Sequence, residues 1–560
     1  MTVLLSFLLF TGLVAGLTWF LTHKDDHGTS DGFFLAGRKL GAIVIAGSLL
    51  LTNLSAEQLV GLNGAAFKDG LHVMVWEIVT VIAIVLLALF FLPRFLRSGI
   101  TTVPQFLGER FGPSTRAITT IIFLVAYAAI LLPIILYAGA QGLKEMIDVA
   151  GLTGIENEAV VLWLTVWIIG LIGSVYALFG GLRTIAVSDT LNGAGLLIGG
   201  LLITYFGLQA VGGDGGAMAG LDAIRETQGG KFDPVESPNG GRLNSIGAAD
   251  QSVPFGTIFT GAILIMTFYW CTNQQIIQRS LAAKDLAAGQ KGVLLTGALK
   301  LLGPIYLVLP GMIAYQLFIV QGQMPEITND KSYGTLVRTV LPPGLVGFFA
   351  AVVVGAVLSS FNSALNSTTT LFSLGVYKDL ISPKASEKQV VASGKWFGWA
   401  IAITAMCLAP LLDGQDSLFG YLQAMNAIYF IPILSVVVVG MLGRRVPTVA
   451  ANLAILTALV LLLVGNFVPF GTNEDGGDFV LAGGWMHGFH YVGLVFVVAV
   501  ALMLAMGLIA PREEAWVHEH SKDVDITPWK FAWPAGIALV IAVIAIYAVF
   551  ADFTVLSPDG

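Results

Sequence analysis

Charge is scarce in this chain. Asp, Glu, Lys and Arg together supply 11% of its 560 residues, where a soluble domain carries roughly 25%, so there are too few ionic side chains to clothe a water-facing surface. Cysteine is nearly absent. Cys271 and Cys407 both lie in apolar segments with no CxxC spacing, which excludes a disulfide scaffold or a thiolate metal site and leaves two reduced core thiols. Basic tracts are missing, which removes nucleic acid as a partner, and the net charge of −7 is spread over short loops without an acidic tail. Neither HExxH nor a P-loop occurs, so intramembrane proteolysis and ATP-driven transport lose their signatures and nothing points to an enzyme.

What the chain has is apolar length. Hydrophobic residues make up 56% of it, and runs long enough to cross a bilayer repeat from one end to the other, the pattern of a polytopic helical protein whose partner is lipid. The first run, Val3 to Thr22, lacks the basic start and small-residue cleavage site of a signal peptide and is followed at once by His23, Lys24 and Asp25, so it reads as a retained helix. With about 20 residues needed per span, the windows give about 14 transmembrane helices: 3–22, 41–66, 71–95, 115–143, 159–180, 184–211, 254–274, 292–318, 343–375, 393–411, 417–440, 448–468, 486–510 and 530–551. Odd-numbered loops carry twenty of the 28 Lys and Arg residues and even-numbered loops seven. The positive-inside rule therefore puts both termini on the extracytoplasmic side of the cell membrane. The remaining cation, Lys300, falls inside a span.

Two spans are interrupted. Thr52, Asn53, Ser55, Glu57 and Gln58 break the second, and Tyr269, Trp270, Thr272, Asn273, Gln274 and Gln275 break the seventh. Irregular backbone at membrane depth survives only where protein or a wet cavity satisfies it. These spans are five apart, and an odd repeat length inverts the second copy, so spans two to six and seven to eleven read as a 5+5 inverted repeat with a transport site at its midplane. The organisation expected is an N-terminal extra helix and cytoplasmic loop (1–40), a first repeat (41–212), an extracellular loop (213–253), a second repeat (254–440) and three accessory helices (441–560).

Five blocks, 33–40 FFLAGRKL, 53–61 NLSAEQLVG, 180–193 GGLRTIAVSDTLNG, 269–284 YWCTNQQIIQRSLAAK and 359–378 SSFNSALNSTTTLFSLGVYK, resemble the solute:sodium symporter family, in particular its sodium/glucose and bacterial sodium/galactose branch. The resemblance implies an all-α membrane fold with a LeuT-like core and uptake driven by Na⁺. It further implies an ion held by the Ser359 and Ser360 hydroxyls and the carbonyls of Leu51, Leu54 and Ala356. Oxygen donors beside an unwound helix suit a hard cation.

The same resemblance implies a sugar site of Asn53, Gln58, Glu77, Thr80, Lys300 and Gln423, with the Tyr269 ring on the sugar face and the inner side, and an outer gate of Leu62, Trp76 and Phe419. Amides that donate and accept, an acceptor carboxylate and a donor ammonium suit a small neutral polyol. Met266 and Leu131 stand where the galactose pattern has asparagine, which leaves glucose, galactose, another monosaccharide, inositol or sialic acid open, with proton coupling as a rival to Na⁺. A channel or a sensor would share many of these features. Asp189 is expected to cap its helix, pair with Arg183 or serve sodium exit, and Glu57 to satisfy backbone amides at the break. His487 and His490, three apart, read as surface histidines, and His518, Glu519 and His520 as solvated loop residues.

Overall fold

The structure, a computed structural model, describes residues 2–25, 28–146, 151, 154–229, 241–249, 251–413, 418–472 and 478–556. In chain order its main helices are α1 (Thr2–Thr22), α2 (Ser30–Leu35), α3 (Ala42–Asn53), α4 (Ala56–Asp69), α5 (Leu71–Ser98), α6 (Pro113–Lys144), α7 (Glu158–Gly212), α8 (Gly216–Gln228), α9 (Gly261–Cys271), α10 (Gln274–Leu281), α11 (Leu286–Lys300), α12 (Pro304–Val320), α13 (Asn329–Val340), α14 (Pro343–Ile381), α15 (Glu387–Leu412), α16 (Leu418–Leu442), α17 (Thr448–Phe467), α18 (Gly488–Ile509) and α19 (Ala532–Val549), with a short helix, Val103–Phe111, between α5 and α6. Among the described residues the strands are limited to the pair Gly471–Thr472 and Asp478–Phe479.

Ten of these helices are long and apolar enough to cross a membrane, or twelve when each of two bent pairs counts as one span. The fourteen expected windows differ from that number for two reasons. Spans 159–180 and 184–211 follow one another without a loop in α7 and so count once in that number, but Gly181, whose φ of 64° and ψ of −178° are not helical, divides them into two helices at the expected place. The window 254–274 becomes the short α9 and then α10, separated at Thr272 and Asn273. A third difference is that 292–318 bends by 48° between α11 and α12. Pro304 explains the bend, because its ring excludes the carbonyl four residues earlier, that of Lys300. The connection 213–253 also contains structure, the helix α8.

Burial sorts the helices into a centre and a rim. The most apolar windows of α16, α5 and α14 are 83%, 78% and 72% buried, against 11% for α1, 22% for α19 and 28% for α18. Rim helices turn Leu, Ile and Val outward, as in Leu8, Leu9, Leu504 and Leu508, which lipid solvates as well as protein does. Cys271 is buried as expected, but Cys407 is exposed, because it sits on the outward face of α15 and not in the core.

The segment after α18 is largely exposed but is tied down on one side. Its backbone returns to the body of the protein through Ser521 N on Arg97 O at 2.9 Å and Leu286 N on Asp525 O at 2.9 Å. His518 stacks on Trp516 and bonds Ser98 at 2.6 Å, and burial together with Arg97 and Arg94 lowers its pKa. The expectation of solvated polar residues there is therefore corrected for His518: a flat ring packs well on indole, and apolar cover outweighs exposure.

Gly181 occupies a backbone region closed to side chains, and replacing it tests the break it makes. Gly181→Ala is expected to cost about 1–3 kcal/mol and to lower the thermal midpoint in detergent. Gly16→Ala in α1, where an added Cβ meets nothing within 4 Å, is expected to leave the midpoint unchanged.

Candidate functional site

The site forms where three helices stop. α3 ends at Asn53, Leu54 adopts φ −80° and ψ 57°, and α4 restarts from the extended Ser55 at 56° to the first axis. Leu54 N–H closes the ladder of α3 on Leu50 O at 2.9 Å, and the next turn begins with Leu59 N–H on Ser55 O at 2.9 Å. A break of this kind frees carbonyls near the end of α3. The second break, at Thr272 and Asn273, is held by side chains: Asn273 caps α10 by accepting from Gln275 N–H at 3.3 Å, and Tyr127 Oη donates to Asn273 Oδ1 and accepts from Gln275 N–H at 3.1 Å. The third is the Pro304 bend that follows Lys300.

Lys300 and Glu77 meet there as a fully buried ion pair, Nζ to Oε2 2.5 Å. Gly303 makes the approach possible, since a Cβ at that position would lie 2.7 Å from Glu77 Oε2. Lys300 Nζ also donates to Asn53 Oδ1 at 2.5 Å, and Glu77 Oε1 accepts from Gln58 Nε2 at 2.7 Å. The four side chains form one line, Asn53–Lys300–Glu77–Gln58, with an ion pair at its centre and an amide at each end. Its chemical effect is to sort the amides. Asn53 spends its oxygen on Lys300 and keeps Nδ2 as a donor, whereas Gln58 spends an N–H on Glu77 and keeps Oε1 as an acceptor.

Both amides face a cavity of about 60 Å³. Thr80, Tyr269, Gln423 and Trp76 also line it. The structure thus brings together five of the seven expected substrate residues. Glu77 and Lys300 differ from the expectation: they do not line the cavity and stand behind the amides they orient. Met266 lines it as expected, while Leu131 is buried elsewhere. Six residues not expected at the site, Ser55, Ile265, Trp270, Leu422, Asn426 and Phe430, also line it. Asn426 was accessible to periodicity, because it lies three residues after Gln423 on one helix face. No charged side chain lines this cavity among the described residues.

Above it lies a vestibule of about 390 Å³. Trp76, Ile265 and Gln423 line both spaces, so the indole stands at the boundary, where an outer gate was expected. Leu62 is buried and lines neither space. The side chains of Phe419 and Glu57 lie outside the described residues. His487 is half-buried and lines the vestibule, and His490 bonds Thr260 at 3.0 Å, so neither is the free surface residue expected.

On the opposite side of the break, α14 passes with Ser359 and Ser360. Ser360 Oγ donates to Thr52 O at 3.3 Å. Ser359 Oγ is buried and sits beside the Asp189 carboxylate without a hydrogen bond of ordinary geometry, an oxygen available to a cation. Ala356, one turn before Ser359 and Ser360, and Leu51 and Leu54, flanking Thr52 and Asn53, are all fully buried. These hydroxyl and carbonyl oxygens fit Na⁺ chemically.

Below this lies a buried network. Asp189 accepts from Ser48 Oγ at 2.6 Å and pairs with Arg279 Nη2 at 3.2 Å. Arg279 also donates to Ser48 Oγ at 2.7 Å, to Gln275 O at 2.5 Å and to Ser363 Oγ. The expected Asp189–Arg183 pair does not form. Arg183 lies six residues earlier, off the Asp189 face, and pairs with Asp25 at 2.5 Å. Ser48, Arg279 and Ser363 gave no sequence signal, because their partners are 84 to 231 residues away.

Comparison with known proteins adds identity to this geometry. The profile described as "Sodium:solute symporter family" matches residues 33–457. An uncharacterized symporter, YidK, of Escherichia coli (strain K12) is 43% identical over 552 residues, covering 98% of this chain and 91% of that one. The sodium/glucose cotransporter of Vibrio parahaemolyticus is 29% identical over 482 residues, covering 83% and 85%. A solved Na⁺-coupled sialic acid symporter superposes with a TM-score of 0.76 at 17% identity, covering 92% of this chain and 99% of that one, which shows a shared fold: the all-α, LeuT-like arrangement.

Breaking the buried pair separates its role from that of the amides. Lys300→Ala or Glu77→Ala alone strands a buried charge and is expected to cost about 3–5 kcal/mol. The double variant Lys300→Met with Glu77→Gln is expected to recover a large part of that loss in a double-mutant cycle of thermal unfolding.

Proposed function

The chain belongs to the sodium:solute symporter family, and from that premise we propose that it imports a neutral monosaccharide such as glucose or galactose with Na⁺ by alternating access. The observation that carries the reading is the cavity of sorted amides. One donor from Asn53 and one acceptor from Gln58 match a hydroxyl, which accepts and donates at once, and the Thr80 hydroxyl and Gln423 amide extend the pattern. Tyr269 and Trp270 add ring faces for the apolar C–H side of a sugar. The similarity to a sodium/glucose cotransporter supports this choice. The absence of charge among the described lining residues favours a neutral solute over an anionic one, since Lys300 is already neutralised by Glu77. A second reading, inositol or another polyol, draws on Met266, which removes one hydrogen-bonding side chain worth about 0.5–1.5 kcal/mol.

Na⁺ is the coupling ion of the family. We assign it to the Ser359 and Ser360 hydroxyls with the carbonyls of Leu51, Leu54 and Ala356. The same break then presents Leu51 and Leu54 to the ion and Asn53 and Gln58 to the sugar, so filling one site rigidifies the segment that forms the other. The vestibule lies toward Lys68 at the end of α4 and Asn329 at the start of α13, helix ends that the cation count puts outside. Solute therefore enters past Trp76, with Phe419 and Leu62 as further gate residues. The proposed organisation is two five-helix repeats, 41–212 and 254–440, flanked by 1–40, 213–253 and 441–560, with both termini outside. Release inward passes Tyr269, and the ion leaves past Asp189. One charge moved through 100 mV supplies about 2.3 kcal/mol, enough for roughly fifty-fold accumulation.

In proteoliposomes, labelled glucose or galactose is expected to accumulate under an inward Na⁺ gradient and to show counterflow. Uptake driven equally by a pH gradient without Na⁺ would overturn the ion, and failure of every sugar and polyol in a panel would overturn the solute. Ser359→Ala is expected to raise the Na⁺ concentration for half-maximal thermal stabilisation without abolishing stabilisation by saturating sugar.

A further inference from the structure

The three helices after residue 441 lie outside the proposed repeats, yet one of them reaches the gate. The ring of Phe489, at the start of α18, meets Trp76 with centroids 5.6 Å apart and planes at 61°, the edge-to-face arrangement that aromatic quadrupoles favour. Both rings line the vestibule, and Trp76 alone of the two also lines the cavity beneath. Phe489 therefore stands behind the indole on its vestibule side.

Its position is anchored. His490 and Thr260 bond at 3.0 Å, tying α18 to the residue just before α9. Gly261, the first residue of α9, lets the Phe489 carbonyl come close, in a space a Cβ would fill. His487 caps α18 by accepting from Phe489 N–H at 3.3 Å. Since α9 carries Met266 and Tyr269 into the cavity, α18 is fastened to the same helix that forms the cavity wall. A helix needed only to fill bilayer space requires none of these polar and close-packed contacts.

We propose that Phe489 is a positioning residue of the outer gate, holding Trp76 over the cavity, so that the accessory helix α18 controls entry to the site. This rests on the reading of Trp76 as the gate but not on which solute is carried.

The test uses a thiol beneath the gate. Asn426 lines the cavity and not the vestibule. In the full-length protein with exposed Cys407 replaced by Ala, Asn426→Cys is expected to react slowly with a maleimide in detergent. Adding Phe489→Ala or Phe489→Leu is expected to speed that reaction roughly three- to tenfold, the ratio equivalent to about 0.7–1.4 kcal/mol of ring contact. Phe489→Tyr is expected to restore the slow rate. Buried Cys271, bonded to Ala83 O at 3.4 Å, reports on the fold and should stay silent throughout. An unchanged Asn426→Cys rate in both Phe489 variants overturns the proposal, as does a rise that Cys271 shares, because that is general loosening. Failure of sugar uptake by the parent protein, with the thiol responding as expected, would remove the solute assignment and leave the gate assignment standing.

Discussion

The buried pair of Lys300 and Glu77 is the constraint on which the rest of the site depends. An ammonium and a carboxylate cannot both lie out of water unless each supplies the other's counter-charge and the remaining donors and acceptors are met. Here they are met by two amides from opposite sides of a helix break, Asn53 and Gln58. The broken helix is thus stitched to α5 and to the end of α11 at one point. The stitch also fixes which face of each amide is left over for the cavity. The same four side chains hold the break together and set which amide groups face the cavity.

The break itself has a second consequence on its other side. Thr52 O takes the Ser360 hydroxyl, and Thr52 Oγ1 lies 3.4 Å from Asp189, so a residue adjacent to Asn53 belongs to the network that ties α3 to α7, α10 and α14. One broken segment is therefore common to the amide-lined cavity and to the buried Ser360 hydroxyl. Coupling between an ion and a solute requires such a shared element, since a ligand shifts an equilibrium only through contacts that differ between states. The Asp189–Arg279 pair closes the side away from the vestibule with charge-assisted bonds, while the vestibule side is bounded by aromatic contact between Trp76 and Phe489. The two ends are held by interactions of different kinds and different strength.

Much of this was legible in residue order. Apolar length announced the membrane, and polar interruptions at 52–58 and 269–275 marked both breaks, because bilayer physics penalises such residues unless they serve a site. The family resemblance also led to Asn53, Gln58, Thr80, Gln423 and Trp76, which do meet around one cavity. The reading went astray where a partner had to be chosen at long range. Asp189 was offered Arg183, its neighbour in sequence, and took Arg279. His518 was taken for a loop residue and is packed on Trp516. Glu77 and Lys300 were taken for lining groups, although their mutual attraction pulls them behind the amides.

By itself the sequence determined the class of protein, the approximate positions of its spans and the places where helix must give way, since each follows from hydropathy and backbone chemistry acting over a few turns. Tertiary structure alone decided which charge neutralises which, which half of each amide remains free, and that Phe489, from a helix beyond the repeats, stands against Trp76. Those outcomes depend on distances between residues hundreds of positions apart, set by packing of whole helices. The broken segment from Leu51 to Gln58 was visible as an interruption, but its two faces exist only once α5, α11 and α14 are folded around it.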